Sequence, residues 1–245
     1  MSVLFAEAAG ELVAVHGPDV EAFPFSMVVS RSDAADLPDE GDVTVEAGAV
    51  LLADGRRIVA RAVAGAAPSA PGAAPAALLA HLAALPGYPE RAAELASLAD
   101  PLRRALAEGA DPLPAAATML GRGAGLTPSG DDVLLGAIAM AAHGHREWGV
   151  LDPAPLAGAL AALAPSRTTA VSIAFLRAAA RGRFAPVVGA VCRATPETLP
   201  AALRRLAAVG ASSGLDTAVG IGLVCAVAAP TWSAPRPRRR SPARS

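Results

Sequence analysis

Residues 64–75 read AGAAPSAPGAAP, a run of Ala, Pro and Gly with no apolar periodicity. Proline and glycine at this density punctuate a chain rather than build helix or strand. The character of the sequence changes across this run. Before it, short Val- and Leu-rich stretches recur around residues 12–15, 27–29, 43–45, 49–52 and 58–63. Asp54-Gly55 lies between the last two, a dipeptide that accepts the positive φ of a tight hairpin turn. After it the period becomes helical, with Leu78, Leu79, Leu82 and Leu85 on one amphipathic face. Helices are predicted over 89–98, 100–109, 112–120, 130–143, 154–163, 167–181, 197–208 and 214–229, with Pro and Gly at their starts and stops. The fold class is therefore α+β: a small N-terminal β-sheet domain (1–63), a Pro/Ala linker (64–75) and a larger, mostly α-helical domain (76–229). Residues 230–245, PTWSAPRPRRRSPARS, lack apolar periodicity and are expected to form a disordered tail.

Composition narrows the function. The 245 residues include 63 alanines but only 3% aromatics, which favours closely packed helices over sandwiches or barrels. All 21 basic residues are Arg. Without Lys there is no Schiff base, no pyridoxal-phosphate anchor and no P-loop lysine. A net charge of -1 argues against a nucleic-acid partner. Cys192 and Cys225 are too few for a disulfide scaffold or a cysteine zinc site, which fits a cytoplasmic protein. The first residues have no basic region before their apolar stretch, unlike a signal peptide. The longest apolar run, 218–229, falls short of the roughly 20 residues a membrane span needs.

Three segments carry candidate chemistry. The first is GRGAGLTPSGDD, Gly121 to Asp132. Gly121, Gly123 and Gly125 let the backbone approach a ligand, and Ser129 with Asp132 reads as a capping box opening an apolar helix. A glycine-rich loop running into a helix N-terminus is an anion site, to which Thr127, Ser129, Gly130 and Asp131 would contribute. It is no standard nucleotide loop. Gly123 and Gly125 lack the third glycine of the dinucleotide fingerprint, and Gly125 to Gly130 has P-loop spacing but is followed by Asp131 where Lys is required.

The second segment repeats the device. Ser213-Gly214-Leu215-Asp216 with Gly220 has the same S-G-x-D-x-x-x-G pattern as Ser129-Gly130-Asp131-Asp132 with Gly136, and Ser212 adds a hydroxyl. Two such helix starts facing one cavity would pair two dipoles for an anion with two carboxylates, Asp132 and Asp216, for a proton or a metal. The third segment is PSRTTAVS. Ser166 reads as a helix cap, and Arg167 in the first turn with Thr168 and Thr169 offers a guanidinium fork and hydroxyls to a phosphate or carboxylate. His143 and His145 read as surface groups at a helix end, and His16 and His81 show no partners.

Together the three segments resemble the AllH-like proteins, a family long catalogued as a domain of unknown function. The GLTPSGDD core carries the resemblance, with Arg167, Thr168, Thr169 and Ser172, and then Ser212, Ser213, Gly214 and Asp216, in the family's order and spacing. The resemblance implies a subunit of oxamate carbamoyltransferase, a multi-subunit enzyme of allantoin and purine breakdown. That enzyme converts oxalurate and phosphate to oxamate and carbamoyl phosphate. It would imply small anionic ligands, other carbamoyltransferase subunits as partners, and no nucleic acid or membrane. Two positions depart from the family pattern: Ala124 stands where Pro is usual, and Ala211 where His is expected. Asp132, Asp216 and Arg167 are the expected catalytic groups. No cofactor is implied, although Asp131, Asp132 and Asp216 have the hard oxygens that suit Mg²⁺ in a hydrolase of a small anion. A non-catalytic structural subunit is the other alternative.

Overall fold

In the computed structural model of the chain, the described residues are 3–8, 11–35, 37–38, 43–46, 49–60, 62–63 and 67–230. Apart from Pro230, the expected tail lies outside them. The α+β reading holds: small sheets come first and helices follow.

The first sheet has the order β1 (Val3–Ala8), β2 (Glu11–His16), β3 (Ser26–Val28) and β7 (Ala62–Val63). β1 runs antiparallel to β2, β2 parallel to β3, and β3 antiparallel to β7. A second, antiparallel sheet holds β4 (Val43–Glu46), β5 (Ala49–Leu52) and β6 (Arg57–Val59). The expected Asp54-Gly55 hairpin joins β5 to β6, with Gly55 at φ 84°. The run expected over 58–63 is two strands, because between Val59 and Ala62 the chain leaves one sheet for the other. Strand alternation places β2 between two apolar layers. Val15 faces a core with Met27, Val50 and Ile58, while Ala14 faces a layer with Phe25 and Val171. His16 is also buried and has partners: Nε2 lies 2.7 Å from Ser26 Oγ, and Nδ1 2.8 Å from the Gly17 carbonyl. The Ser26 partner comes from the chain's return in β3, beyond local pattern. A short helix, α1 (Arg31–Ala35), follows β3.

The helical region comprises α2 (Pro75–Ala83), α3 (Tyr88–Glu94), α4 (Ala96–Glu108), α5 (Leu113–Met119), α6 (Ser129–Trp148), α7 (Pro153–Leu163), α8 (Ala170–Ala180), α9 (Pro186–Arg193), α10 (Leu199–Ala207) and α11 (Ser213–Ala228). Prolines occupy the first turns of α2, α3, α5, α7, α9 and α10, where no backbone partner is lost. Left-handed Gly109 and Gly149 close α4 and α6. α9 is a helix that the periodicity does not predict. PVVGAVCR is short and β-branched, and burial of Val187, Val191 and Cys192 overrides that propensity. No helix among the described residues is long and apolar enough to cross a membrane.

At the centre α6 and α11 pack on each other, and glycine makes the approach possible. A Cβ on Gly136 would stand 2.0 Å from the Thr217 carbonyl oxygen, and one on Gly220 2.0 Å from that of Val133. Val133 and Thr217 occupy the same place in the two S-G-x-D motifs, so the contact is reciprocal. Around this pair lies the main core, including Leu78, Leu82, Leu134, Ile138, Leu160 and Leu203.

Residues 69–72, within the expected linker stretch, run along the helical region. The Ser69 carbonyl lies 2.7 Å from His143 Nδ1, and the Gly72 N–H donates to the Cys192 carbonyl at 3.3 Å. His143 is therefore only 3% exposed, contrary to the surface position expected for it. Its cover comes from chain 74 residues away, which helix-end reasoning cannot see.

Candidate active site

The glycine loop after α5 and the serine loop before α11 meet. Thr127 Oγ1 lies 2.8 Å from Ser213 Oγ, linking the first motif to the second. Each serine–glycine pair is pressed against the end of the preceding helix. A Cβ on Gly130 would be 2.1 Å from the Met119 carbonyl oxygen, and one on Gly214 1.8 Å from that of Leu206. Gly121 and Gly123 take φ of 71° and 117°, conformations that L side chains rarely adopt.

The capping expected of these loops is different in the structure. Ser129 is the first helical residue of α6, Pro128 precedes it as the cap without a side-chain bond, and the Gly130 N–H donates to the Arg122 carbonyl at 2.8 Å. The loop thus curls back and satisfies a helix-start donor itself. Ser129 is held elsewhere: Arg91 Nη2 donates to its Oγ at 2.9 Å. α8 begins three residues later than expected. Thr169, and not Ser166, is its cap, accepting from the Ser172 N–H at 3.1 Å, and Ser166 ends a 3₁₀ turn.

The three aspartates are buried, and each has a different fate. Asp131 accepts from the Gly121 N–H at 2.8 Å and from the Thr168 hydroxyl, tying the glycine loop to the third segment. Asp216, with its side chain 1% exposed, forms an ion pair with Arg91 of α3, whose Nη2 donates to Oδ2 at 3.0 Å. The Ser212 hydroxyl donates to the same oxygen at 3.2 Å. Asp132 has no ion pair among the described residues, and its Oδ2 is buried without a hydrogen bond. Burial pushes the Asp132 carboxyl up to about 8. The neighbouring Ser213 and Thr127 hydroxyls pull the other way, and the charges of Asp216 and Asp131 add to the rise. Its proton is therefore held more tightly than that of an ordinary Asp. Nor do the three carboxylates gather around one point: among the described residues no group of three His, Cys, Asp or Glu is placed to hold a metal ion.

Asp132 faces a cleft of about 410 Å³ between the helical region and the first sheet. Gly125, Thr127, Ser212, Ser213 and Gly214 of the expected set line it. Ala211, where the family pattern leads one to expect His, also faces it. Arg167 stands away from this wall, exposed, with Nη1 donating to the Ala117 carbonyl at 3.0 Å. Thr169 donates to the Leu126 carbonyl at 2.5 Å. The third segment therefore braces the glycine loop from behind.

Two cations of the site escape sequence reasoning. Arg91 sits in a helix that carries no motif, and only folding brings it to Asp216 and Ser129. Arg183 lines the cleft and donates through Nη2 to the Pro24 carbonyl at 2.8 Å. The sequence holds no local signal for either.

Fold and site together define a class: an α+β protein that presents a buried carboxyl, raised by that burial, to a cleft beside hydroxyls and a helix start. Residues 119–225 match the family model of AllH, described as an oxamate carbamoyltransferase subunit. This is the family that the three motifs resemble, and the matched segment contains all of them. No solved structure matches the chain.

Proposed function

We propose that the chain is a subunit of a carbamoyltransferase like the one its family is named for, and that Asp132 is its proton donor. The observation that carries this reading is the burial of Asp132 beside the Thr127 and Ser213 hydroxyls at the cleft, which raises its carboxyl. In the reaction oxalurate and hydrogen phosphate give oxamate and carbamoyl phosphate. A phosphate oxygen attacks the ureido carbonyl, a C–O bond forms, and the C–N bond to the oxamate nitrogen breaks. That nitrogen leaves readily only if it receives a proton as the bond breaks. Asp132 holds one at neutral pH, and the carboxylate left behind accepts the proton of hydrogen phosphate. With Ala at position 211 the cleft has no imidazole there, so the acid carries the proton alone.

The hydroxyls of Thr127, Ser212 and Ser213 and the N-terminus of α11 would receive the phosphoryl oxygens. Arg183 would supply positive charge, which a chain without Lys takes from Arg. Gly123, Gly125, Gly130 and Gly214 let the backbone close in, while Asp131, Arg167, Thr168 and Thr169 hold the loops. Asp216, paired with Arg91, places a fixed charge next to Asp132. In this reading the chain works with other carbamoyltransferase subunits, and without a cofactor, on small anionic substrates in purine breakdown.

The test is titration of the purified chain with phosphate, carbamoyl phosphate and oxamate, followed by carbamoyl phosphate formation from oxalurate once partner subunits are added. Asp132→Asn should still assemble and lose turnover by about 100-fold or more. An Asp132→Asn complex that fails to assemble, or one that turns over normally, would replace this reading with a structural role.

A further inference from the structure

The chain has five phenylalanines in 245 residues. Four of them, Phe5, Phe23, Phe175 and Phe184, line the cleft that Asp132 faces. The fifth, Phe25, packs behind, stacked on Phe23 at 5.6 Å and edge-on to Phe175 at 5.0 Å. Phe23 also meets Phe175 edge-on at 5.6 Å, which joins the first sheet to α8. An aromatic-poor chain has gathered every Phe at one place. Phe5, Phe23 and Phe175 remain only partly buried, so the rings are a wall with a free face.

Glu21 is paired with Arg205 at 2.6 Å, and Arg183 is the cation that would meet the phosphate. The rings themselves carry no donor, so a carboxylate pressed against them would lose hydration without gaining a partner. A cleft of about 410 Å³ is in the range of small-molecule sites lined by apolar groups with a few polar ones for orientation, and it exceeds what an oxamate needs.

We infer that the cleft takes an N-carbamoyl amide, R–CO–NH–CO–NH₂, whose R group is apolar and flat, an aryl group above all. The inference rests on Asp132 as proton donor and names the substrate class of that same site. Hydrogen phosphate attacks the terminal carbamoyl carbon, the bond from that carbon to the imide nitrogen breaks, and the products are R–CO–NH₂ and carbamoyl phosphate. The proton of hydrogen phosphate ends on the leaving nitrogen by way of Asp132. The rings hold R, and the hydroxyls of Thr127, Ser212 and Ser213 face the reacting end. Two of the rings, Phe5 and Phe23, lie outside the segment that matches the family, so the N-terminal region selects the acyl group while the matched segment does the chemistry.

The probes are benzoylurea and oxalurate, which differ in phenyl against carboxylate on the same ureide. Calorimetry on the full chain should show benzoylurea binding at least tenfold tighter than oxalurate. Phe23→Leu, which keeps an apolar core residue, should weaken benzoylurea binding and narrow that preference at least threefold. Oxalurate binding equally or more tightly, no binding of either, or a preference untouched by Phe23→Leu overturns the inference. Carbamoyl phosphate release in the assembled enzyme separates it from the reading beneath. Turnover of oxalurate with no benzoylurea binding sinks the aryl assignment and leaves carbamoyl transfer standing. Tight benzoylurea binding with no carbamoyl phosphate from either ureide upholds the apolar cleft and sinks carbamoyl transfer.

Discussion

Replacing Asp132 by Asn should change how stability depends on pH. The carboxyl is raised from 3.8 to about 8 by burial. Between those values the folded chain holds a proton that the unfolded chain has released, so stability falls as pH rises. The contribution is complete below the unfolded value and lost as pH climbs through the folded one. Integrated from pH 6 to pH 9, the loss is about 3 kcal/mol for a single group with these two values. The amide of the Asp132→Asn variant has no proton to lose. Urea unfolding of wild type and variant at pH 6, 7, 8 and 9 gives two profiles, and every other titrating group cancels in their difference. That difference should shift by about 3 kcal/mol in favour of the variant across the range. A constant difference would mean that Asp132 titrates alike in both states. The neutral acid, and the proton-donor role with it, would then be refuted.

The same carboxyl sets the activity profile: turnover of the assembled enzyme should decline as pH rises through about 8, and a rate still climbing at pH 9 would exclude an acid at this position. Arg91→Ala leaves the Asp216 charge buried without its partner, at a cost of about 3–5 kcal/mol in urea unfolding. Arg91→Lys should recover only part of it, since one ammonium cannot serve Asp216 and Ser129 as the fork does. Gly220→Ala puts a methyl 2.0 Å from the Val133 carbonyl oxygen, so α11 must move off α6. Unfolding midpoints should show a loss of about 1–3 kcal/mol or more. Arg167→Ala removes one hydrogen bond to the Ala117 carbonyl, about 1 kcal/mol. Its carbamoyl phosphate affinity should match wild type, and a tenfold loss would return Arg167 to the ligand.

Local sequence determined a great deal about this protein. Pro residues in first turns and Gly at helix ends act through their own φ angles, so helix boundaries such as Pro75, Pro153 and Gly109 are readable in place, although α6 runs five residues past the end expected for it at 143. The hairpin at Gly55 is legible for the same reason. The last glycine of the repeated S-G-x-D-x-x-x-G pattern likewise marks close helix packing, because a residue without a Cβ lets another backbone come near. Boundaries failed where the deciding force was distant. α9 forms against the β preference of its valines because they are buried, and His143 is covered by chain 74 residues away.

The candidate site shows the same division more sharply. Sequence could nominate Asp132 and Asp216 as catalytic and Asp131 as a ligand contact but could not tell which of them is paired, since carboxylates at helix starts look alike. Their chemistry depends on what stands beside each one. Thr168, 37 residues on, holds Asp131, and Arg91, 125 residues back, neutralises Asp216. Asp132 receives neither, and burial raises its carboxyl. The gathering of five scattered phenylalanines into one wall is likewise invisible along the chain. Conformational preference is a property of a residue and its neighbours in sequence, whereas proton affinity and cleft shape belong to whatever the fold brings within a few ångströms. Only the tertiary structure decides those.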